Sequence, residues 1–308
     1  MMEARPCKVL SIQGHVVSSC EIAAYTLQIL GIEVYTLYSV QVSSPIPQSG
    51  WKGQVLHQKE LEELMADLAA KGLDRDFTHL FTGYIGSSSF LNHIPEVIRQ
   101  LRQHNKNLIF VCDPVLGDNG KMCVPESHVA IYRDHIIPLA DIVTPNQYEA
   151  ELLTGKPILD ADDAWTVIDN IHSMACQSVF LSSAHLGYDD YLLGFASRIS
   201  GKKKTTATLK SPLVHTSFSG TGELYAALVL AWMYRSGGDI VATLEHTTAT
   251  VQAVLNRTSQ SATGKNGDTT AKKIPLNLKL VQSKGDIEDP NVIVKCKTSL
   301  DSDVDWYE

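Results

Sequence analysis

At 308 residues, with 44% hydrophobic and 19% charged side chains, the chain carries enough apolar material for a large buried core, which excludes a disordered chain, a collagen and a disulfide-stapled mini-protein. The 26 Lys and Arg residues against 34 Asp and Glu give a formal charge of −8, which argues against a nucleic-acid partner gripped through general basicity and leaves room for a local anion site. Length alone suggests two domains, although a single α/β domain also reaches this size.

Met1–Lys8 mixes charge with Pro6 and lacks the long apolar core of a signal peptide. No later stretch approaches the roughly 20 apolar residues of a membrane span. A cytoplasmic protein that meets no membrane is therefore expected. Cys7, Cys20, Cys112, Cys123, Cys176 and Cys296 are scattered, without a C-x-x-C pair or zinc-site spacing, as reduced thiols would be. In that setting the glycosylation sequon at Asn256 is a chance match.

Short apolar, β-branched runs predict strands over Lys8–Gln13, Glu33–Gln41, His79–Thr82, Leu108–Cys112, Ile142–Thr144, Ser178–Ser182 and Tyr191–Ala196. Helical patterns fall between and after them, at Glu21–Leu30, Gln58–Lys71, Phe90–His104, Glu126–Ile136, Gln147–Leu153, Ala161–Met174, Gly222–Arg235 and Ile240–Ser259, with Asp160 as an N-cap. This alternation predicts one α/β domain over residues 1–308, with a mostly parallel central sheet covered on both faces. Gly201–Thr206 and Ser259–Lys273 read as polar loops, and the run Lys202, Lys203, Lys204 is a candidate lid near phosphates. In the tail from Ile274 to Lys297, alternating apolar positions (Leu276, Leu278, Leu280) followed by Val292–Val294 predict late strands on the same sheet.

The segment Ser217-Phe-Ser-Gly-Thr-Gly-Glu223 opens directly into an apolar helix. A glycine turn of this kind aims free backbone N–H groups and the positive helix end at one spot, where an anion or a developing negative charge can sit. The bland alternative is an ordinary glycine-containing helix start, with Glu223 as a first-turn acid favoured by the helix dipole. The sharper reading makes Glu223 a base. Two further clusters follow strand patterns, Val111–Asp118 and Thr144–Glu151. In open α/β sheets ligands collect beyond the carboxyl ends of strands, so Asp113, Asp118, Thr144, Asn146 and Glu149 should converge there. Their hard oxygen atoms suit Mg²⁺ bound together with substrate phosphates. Ser182 and Ser183 would add hydroxyls to the same rim.

Over about Lys8 to Lys297 the chain resembles the pyridoxal kinase family of the ribokinase-like superfamily. The resemblance is carried by Val9–Gln13, Trp51–Leu56, Thr82–Tyr84, Val111–Asp118, Pro138–Asp141, Thr144–Leu153, Gly220–Gly222, Val281–Lys284 and Asp286–Pro290. It implies a three-layer α/β/α fold, a homodimer, and ATP-dependent phosphorylation of the 5′-hydroxyl of pyridoxal, pyridoxine and pyridoxamine with Mg²⁺ and a monovalent cation, K⁺ or Na⁺. By position, Glu223 with Gly220, Thr221 and Gly222 would be catalytic. Asp113, Asn146, Ser182, Ser183 and Thr221 would line the ATP site. Gly14, Ile46, Tyr84 and Glu223 would meet the vitamin, and Asp118, Thr144 and Glu149 would order the metal ions and their water.

Several positions depart from the family pattern. Glu223 stands where the family has Asp, and Gly14 where it usually has Ser. The segment after His15 lacks the family's Gly-x-Val-Gly-Asn stretch, Ser43–Gln48 replaces Ser-Asn-His-Thr-Gly-Tyr, and Cys123 replaces a tyrosine. These changes keep two other readings open: a catalytically impaired nucleotide-binding paralogue, and a kinase of another small hydroxymethyl compound.

Overall fold

The apolar run near the N-terminus is nearly continuous because its strand is covered on both sides: along β1 (Lys8–Val16), Leu10 and Ile12 pack into one core while Val9 packs into another on the opposite face. The same alternation recurs in β4 (His79–Thr82), where Leu80 and Phe81 part, and in β5 (Ile109–Cys112), where Phe110 and Cys112 point away from Val111. The computed structural model describes residues 6–44, 50–263 and 275–298.

In chain order, β1 is followed by α1 (Ile22–Ile29), β2 (Glu33–Val42), the short β3 (Gly53–Val55), α2 (Gln58–Ala70), β4, α3 (Ser88–His104) and β5. Next come a small hairpin, β6 (Gly117–Asp118) and β7 (Lys121–Met122), then α4 (Ser127–Ile131), β8 (Ile142–Val143), α5 (Gln147–Thr154) and α6 (Ala161–Ser173). The chain continues through β9 (Ser178–Ala184), β10 (Tyr191–Ser200), β11 (Lys203–Pro212), β12 (Phe218–Ser219), α7 (Thr221–Arg235), α8 (Ile240–Thr263), β13 (Leu276–Asn277), α9 (Lys284–Glu288) and β14 (Lys297–Thr298). Ten of these strands form one sheet in the order β14-β11-β10-β9-β8-β5-β4-β1-β2-β3. The central strands from β2 to β9 run parallel, and antiparallel strands finish both edges.

Helices α2 to α6 cover one face, through residues such as Leu61, Phe90, Leu153 and Ile168. Helices α1, α7, α8 and α9 cover the other, through Leu27, Leu228, Leu244 and Ile287. The result is the expected three-layer α/β/α arrangement with a mostly parallel centre. Helix α7 is buried almost all round, from Leu224 to Ala231, because it is wedged between the sheet and the neighbouring α1 and α8. Asp160 caps α6 as expected, its side chain accepting from the Asp163 N–H at 2.9 Å.

Four expectations need correction. The Gly201–Thr206 segment is a tight turn between two long antiparallel strands, since Ser200 pairs with Lys203 and Lys203 and Lys204 lie within β11. The Ser259–Lys273 loop begins as helix, α8 running on to Thr263, while residues 264–274 lie outside the described set. The helix expected over Glu126–Ile136 changes winding: α4 passes into a π-helical turn over Tyr132–Ile136 and a 3₁₀ turn over Ile137–Leu139, where Pro138 has no N–H to continue the α ladder. In the tail, Leu276–Asn277 pairs with β12 away from the main sheet, Val281–Ser283 and Lys284–Glu288 are helical turns, and only Lys297–Thr298 joins β11. Leu278 and Leu280 are buried without belonging to a strand, which produced the misleading alternation.

Candidate active site at the start of helix α7

Gly220 is the N-cap of α7 and holds the left-handed backbone conformation, φ 89°. A Cβ there would collide with the Ile22 side chain of α1, so glycine is required twice over, for the turn and for the close approach. The first intrahelical bond runs from the Leu224 N–H to the Gly220 carbonyl at 3.1 Å. The amides of Thr221, Gly222 and Glu223 therefore lie ahead of the ladder, with no acceptor inside the helix. The turn is anchored from behind by β12, which pairs with β13.

This helix start is a partition. On one side lies a small cavity of about 90 Å³, whose wall includes Gln13, Gly14, His15, Cys20, Glu21, Tyr38, Gly220 and Glu223. On the other lies a cleft of about 750 Å³ walled by Thr221, Gly222, Asp118, Asn146, Ser182 and Ser183 at its polar end. Leu192, Leu209, Val214, Tyr225, Val251 and Leu255 form the apolar part of that cleft. Its size and mixed lining suit a nucleotide-sized ligand.

Glu223 is half-buried and faces the small cavity. Its Oε1 accepts from the Ala23 N–H at 3.0 Å, so a first-turn amide of α1 is satisfied by a side chain from α7. Burial, reinforced by the Glu21 carboxylate and opposed by the Ala23 amide, pushes the Glu223 carboxyl up to about 7. Such a group is divided between acid and base near neutrality.

Behind the partition, at the ends of β5 and β8, Asp113 and Thr144 are both buried, and the Thr144 hydroxyl donates to Asp113 Oδ1 at 3.3 Å. Burial, with the Glu223 carboxylate nearby, raises the Asp113 pKa. Glu149 and Asn146 form a capping box on α5: the Glu149 N–H donates to Asn146 Oδ1 and the Asn146 N–H to Glu149 Oε2, both at 2.9 Å. The other Glu149 oxygen accepts from the Leu116 N–H at 3.0 Å, and the Asn146 amide reaches the Gly117 carbonyl at 2.9 Å. Glu149 thus fastens the Asp113–Asp118 loop to α5. Burial and Asp113 raise its pKa well above the usual carboxylate range in spite of these amides.

Of the residues singled out by sequence, Gly14, Gly220 and Glu223 meet at the small cavity, and Asp118, Asn146, Ser182, Ser183, Thr221 and Gly222 at the large one. Asp113, Thr144 and Glu149 form a buried layer beneath. Tyr84 lines neither cavity. It packs over Gly14, where a Cβ would come within 2.9 Å of its ring, and its hydroxyl donates to the Cys123 carbonyl at 3.3 Å. The absence of a side chain at Gly14 is what lets Tyr84 settle there. Ile46 lies outside the described residues. The lysine run is remote from both cavities, and Lys204 pairs instead with Asp169 on α6. Sequence reading missed Gln13, Glu21 and Tyr38 on the small cavity, and Tyr225, Thr248, Val251, Gln252 and Leu255 on the large one. Only Glu21, an acid immediately before an apolar helix, carried a local signal.

A three-layer α/β/α fold with a glycine-turned helix start dividing a small cavity from a nucleotide-sized one is the architecture of a small-molecule kinase, and residues 30–269 match the family model described as phosphomethylpyrimidine kinase. The chain belongs to the pyridoxal kinase family. It is 39% identical to the pyridoxal kinase of Ovis aries over 306 residues, which covers 94% of this chain and 97% of the relative. A pyridoxal kinase from Leishmania donovani in complex with ADP and pyridoxamine superposes with a TM-score of 0.84 over 94% of this chain and 99% of its own; at 23% identity it shows the shared fold. A Plasmodium falciparum relative, solved with the ligands AMP-PNP and PL, gives 0.81 at 25% identity over 96% and 99% of the two chains.

Proposed function

We propose that this chain transfers the γ-phosphoryl group of ATP to the 5′-hydroxyl of pyridoxal, pyridoxine or pyridoxamine. The observation that carries the reading is the partition itself: one helix start presents its amides to a nucleotide-sized cleft and its only first-turn carboxylate, Glu223, to a small cavity next door. An acceptor hydroxyl in the small cavity and a triphosphate in the large one would meet at the Thr221 amide. The hydroxyl oxygen attacks the γ-phosphorus, the bond to the bridging oxygen of ADP breaks, and the hydroxyl proton passes to Glu223. The Thr221, Gly222 and Glu223 amides favour the charge that develops on the phosphoryl oxygens. Gly14 lines the small cavity, and Tyr84 packs against it from outside the cavity wall.

The donor set fits a nucleotide-borne divalent ion. Asp113 and Glu149 are both 4% exposed, and among the described residues their hydrogen-bond partners are hydroxyl and backbone amide groups, with no lysine or arginine. That is the setting for Mg²⁺, which keeps much of its water and leans on one or two carboxylates and on substrate phosphates. Asp118, with Asp113, Thr144 and Glu149 behind it, would hold that ion, which would neutralise phosphate charge; a monovalent cation belongs to the same proposal. The family resemblance noted in the sequence extends the proposal to a homodimer. A cytoplasmic location belongs to the same proposal. All six cysteines are free, and no helix among the described residues is long and apolar enough to cross a membrane.

The Glu223 position bears on the alternative of an impaired paralogue. Its longer side chain is used: the carboxylate reaches the Ala23 amide and still faces the cavity, which favours a working enzyme. Incubating the purified chain with Mg-ATP and pyridoxal tests the proposal through the absorbance of pyridoxal 5′-phosphate. Measurable ATP binding without product would overturn it in favour of the paralogue.

A further inference from the structure

The small cavity carries a charge bias that phosphoryl transfer alone does not need. Two carboxylates, Glu21 and Glu223, face it, and among the described residues neither lysine nor arginine does. Glu21 occupies the N-cap position of α1, yet its side chain caps nothing. The Ala23 amide that a cap would take goes to Glu223, and Glu21 accepts a hydrogen bond from the Tyr38 hydroxyl. Tyr38, itself on the cavity wall, therefore acts as a strut that keeps the Glu21 carboxylate at the mouth. Burial is the main cause of the raised Tyr38 and Glu223 pKa values, and both acids add to the first and Glu21 to the second, so the two carboxylates share one local field. Gln13 also borders the cavity; it is 4% exposed, its side-chain amide is packed against Gly83, and its amide nitrogen has no hydrogen-bond partner among the described residues.

The vitamers differ at the ring carbon adjacent to the one bearing the 5′-hydroxymethyl group. That substituent is an aldehyde, a hydroxymethyl or an aminomethyl group, and only the last is a cation at neutral pH. With the 5′-hydroxyl at Glu223, the neighbouring substituent would share the cavity with the second acid. An aldehyde offers that carboxylate no donor, a hydroxyl offers a neutral one, and an ammonium offers a charge-assisted one. We propose that Glu21 is a specificity-determining residue, and that through it this chain favours the aminomethyl vitamer, pyridoxamine, over its neutral counterparts. The inference rests on the vitamin-kinase reading above and goes on to rank that reading's substrates.

The test is steady-state kinetics of the full chain with Mg-ATP and each vitamer in turn, for the wild type, Glu21→Gln and Tyr38→Phe. The wild type should show its highest kcat/KM with pyridoxamine. Glu21→Gln should lower the pyridoxamine-to-pyridoxine ratio of kcat/KM about tenfold, the worth of one hydrogen bond to a charged group, with the change in KM for the amine. Tyr38→Phe, which removes the strut and leaves both carboxylates, should move the ratio the same way by a smaller factor. A merely structural role for Glu21 would weaken all vitamers alike and leave the ratio unmoved, which would overturn the inference. So would a wild type that prefers pyridoxal or pyridoxine. Failure to phosphorylate any vitamer would overturn the functional reading itself, whereas turnover with an unchanged ratio would overturn only the role of Glu21.

Discussion

Glu223 is the residue on which chemistry and geometry meet most closely. Replacing it by Gln keeps its size and its acceptor for the Ala23 amide but removes the base, so kcat should fall by about 10²–10⁴-fold while nucleotide affinity, measured by calorimetry, stays close to that of the wild type. The pH profile follows from the raised pKa. The base form exists above about 7, so kcat should rise with pH through that value and flatten beyond it, and the rise should vanish in Glu223→Gln. Burial is the main cause of this value; Glu21 at the start of α1 adds to it and the Ala23 amide opposes it, with Asp113 close by at the end of β5. Glu223→Asp tests position apart from acidity. Shortening the side chain withdraws the carboxylate by roughly 1 Å and gives up the Ala23 bond, so turnover should drop on the order of 100-fold despite the retained acid. A rise in turnover would instead mark the extra methylene as the defect.

At the scale of elements, the α7 start depends on Gly220 more than on any side chain around it. Gly220→Ala must place a Cβ at φ 89° and against Ile22, and strain of this kind costs about 1–3 kcal/mol. Denaturant unfolding should show that loss, and nucleotide should recover less of it than in the wild type, because the amides it contacts are the ones displaced. The importance of this helix start could be read from sequence, since Gly-Thr-Gly before an apolar run has a local physical meaning. The Asn146–Glu149 box was equally local, although its three-residue spacing marks a cap as readily as a ligand. What stayed hidden was convergence. Glu21, Tyr38 and Gln13 come from a helix cap and two strands and meet only once the parallel sheet is assembled, so no window of sequence contains them. The wall of α8 on the large cavity was hidden for the same reason.

For the molecule as a whole, the parallel centre of the sheet could be read because its strands are apolar on both faces, whereas the edges could not. β11 begins Lys203-Lys-Thr-Thr-Ala-Thr-Leu209, and its exposed start reads as a polar loop. Its place in the sheet reverses the meaning of the lysine run. Gly194 and Leu209 border the nucleotide-sized cleft, and from there β10 runs away to Ser200, six residues at about 3.4 Å each, or roughly 20 Å. Lys202, Lys203 and Lys204 sit at that far end, and Lys204 is engaged with Asp169. At 0.15 M salt the Debye length is about 8 Å, so three exposed charges at such a distance have little hold on a triphosphate. Changing all three to Gln should therefore leave the KM for ATP within about twofold of the wild type. It should also cost little stability, since an exposed ion pair contributes about 0–1 kcal/mol. A KM raised tenfold or more by the triple substitution would mean that the hairpin bends over the cleft during turnover, and the sheet would then have to be regarded as hinged between β9 and β10 instead of rigid.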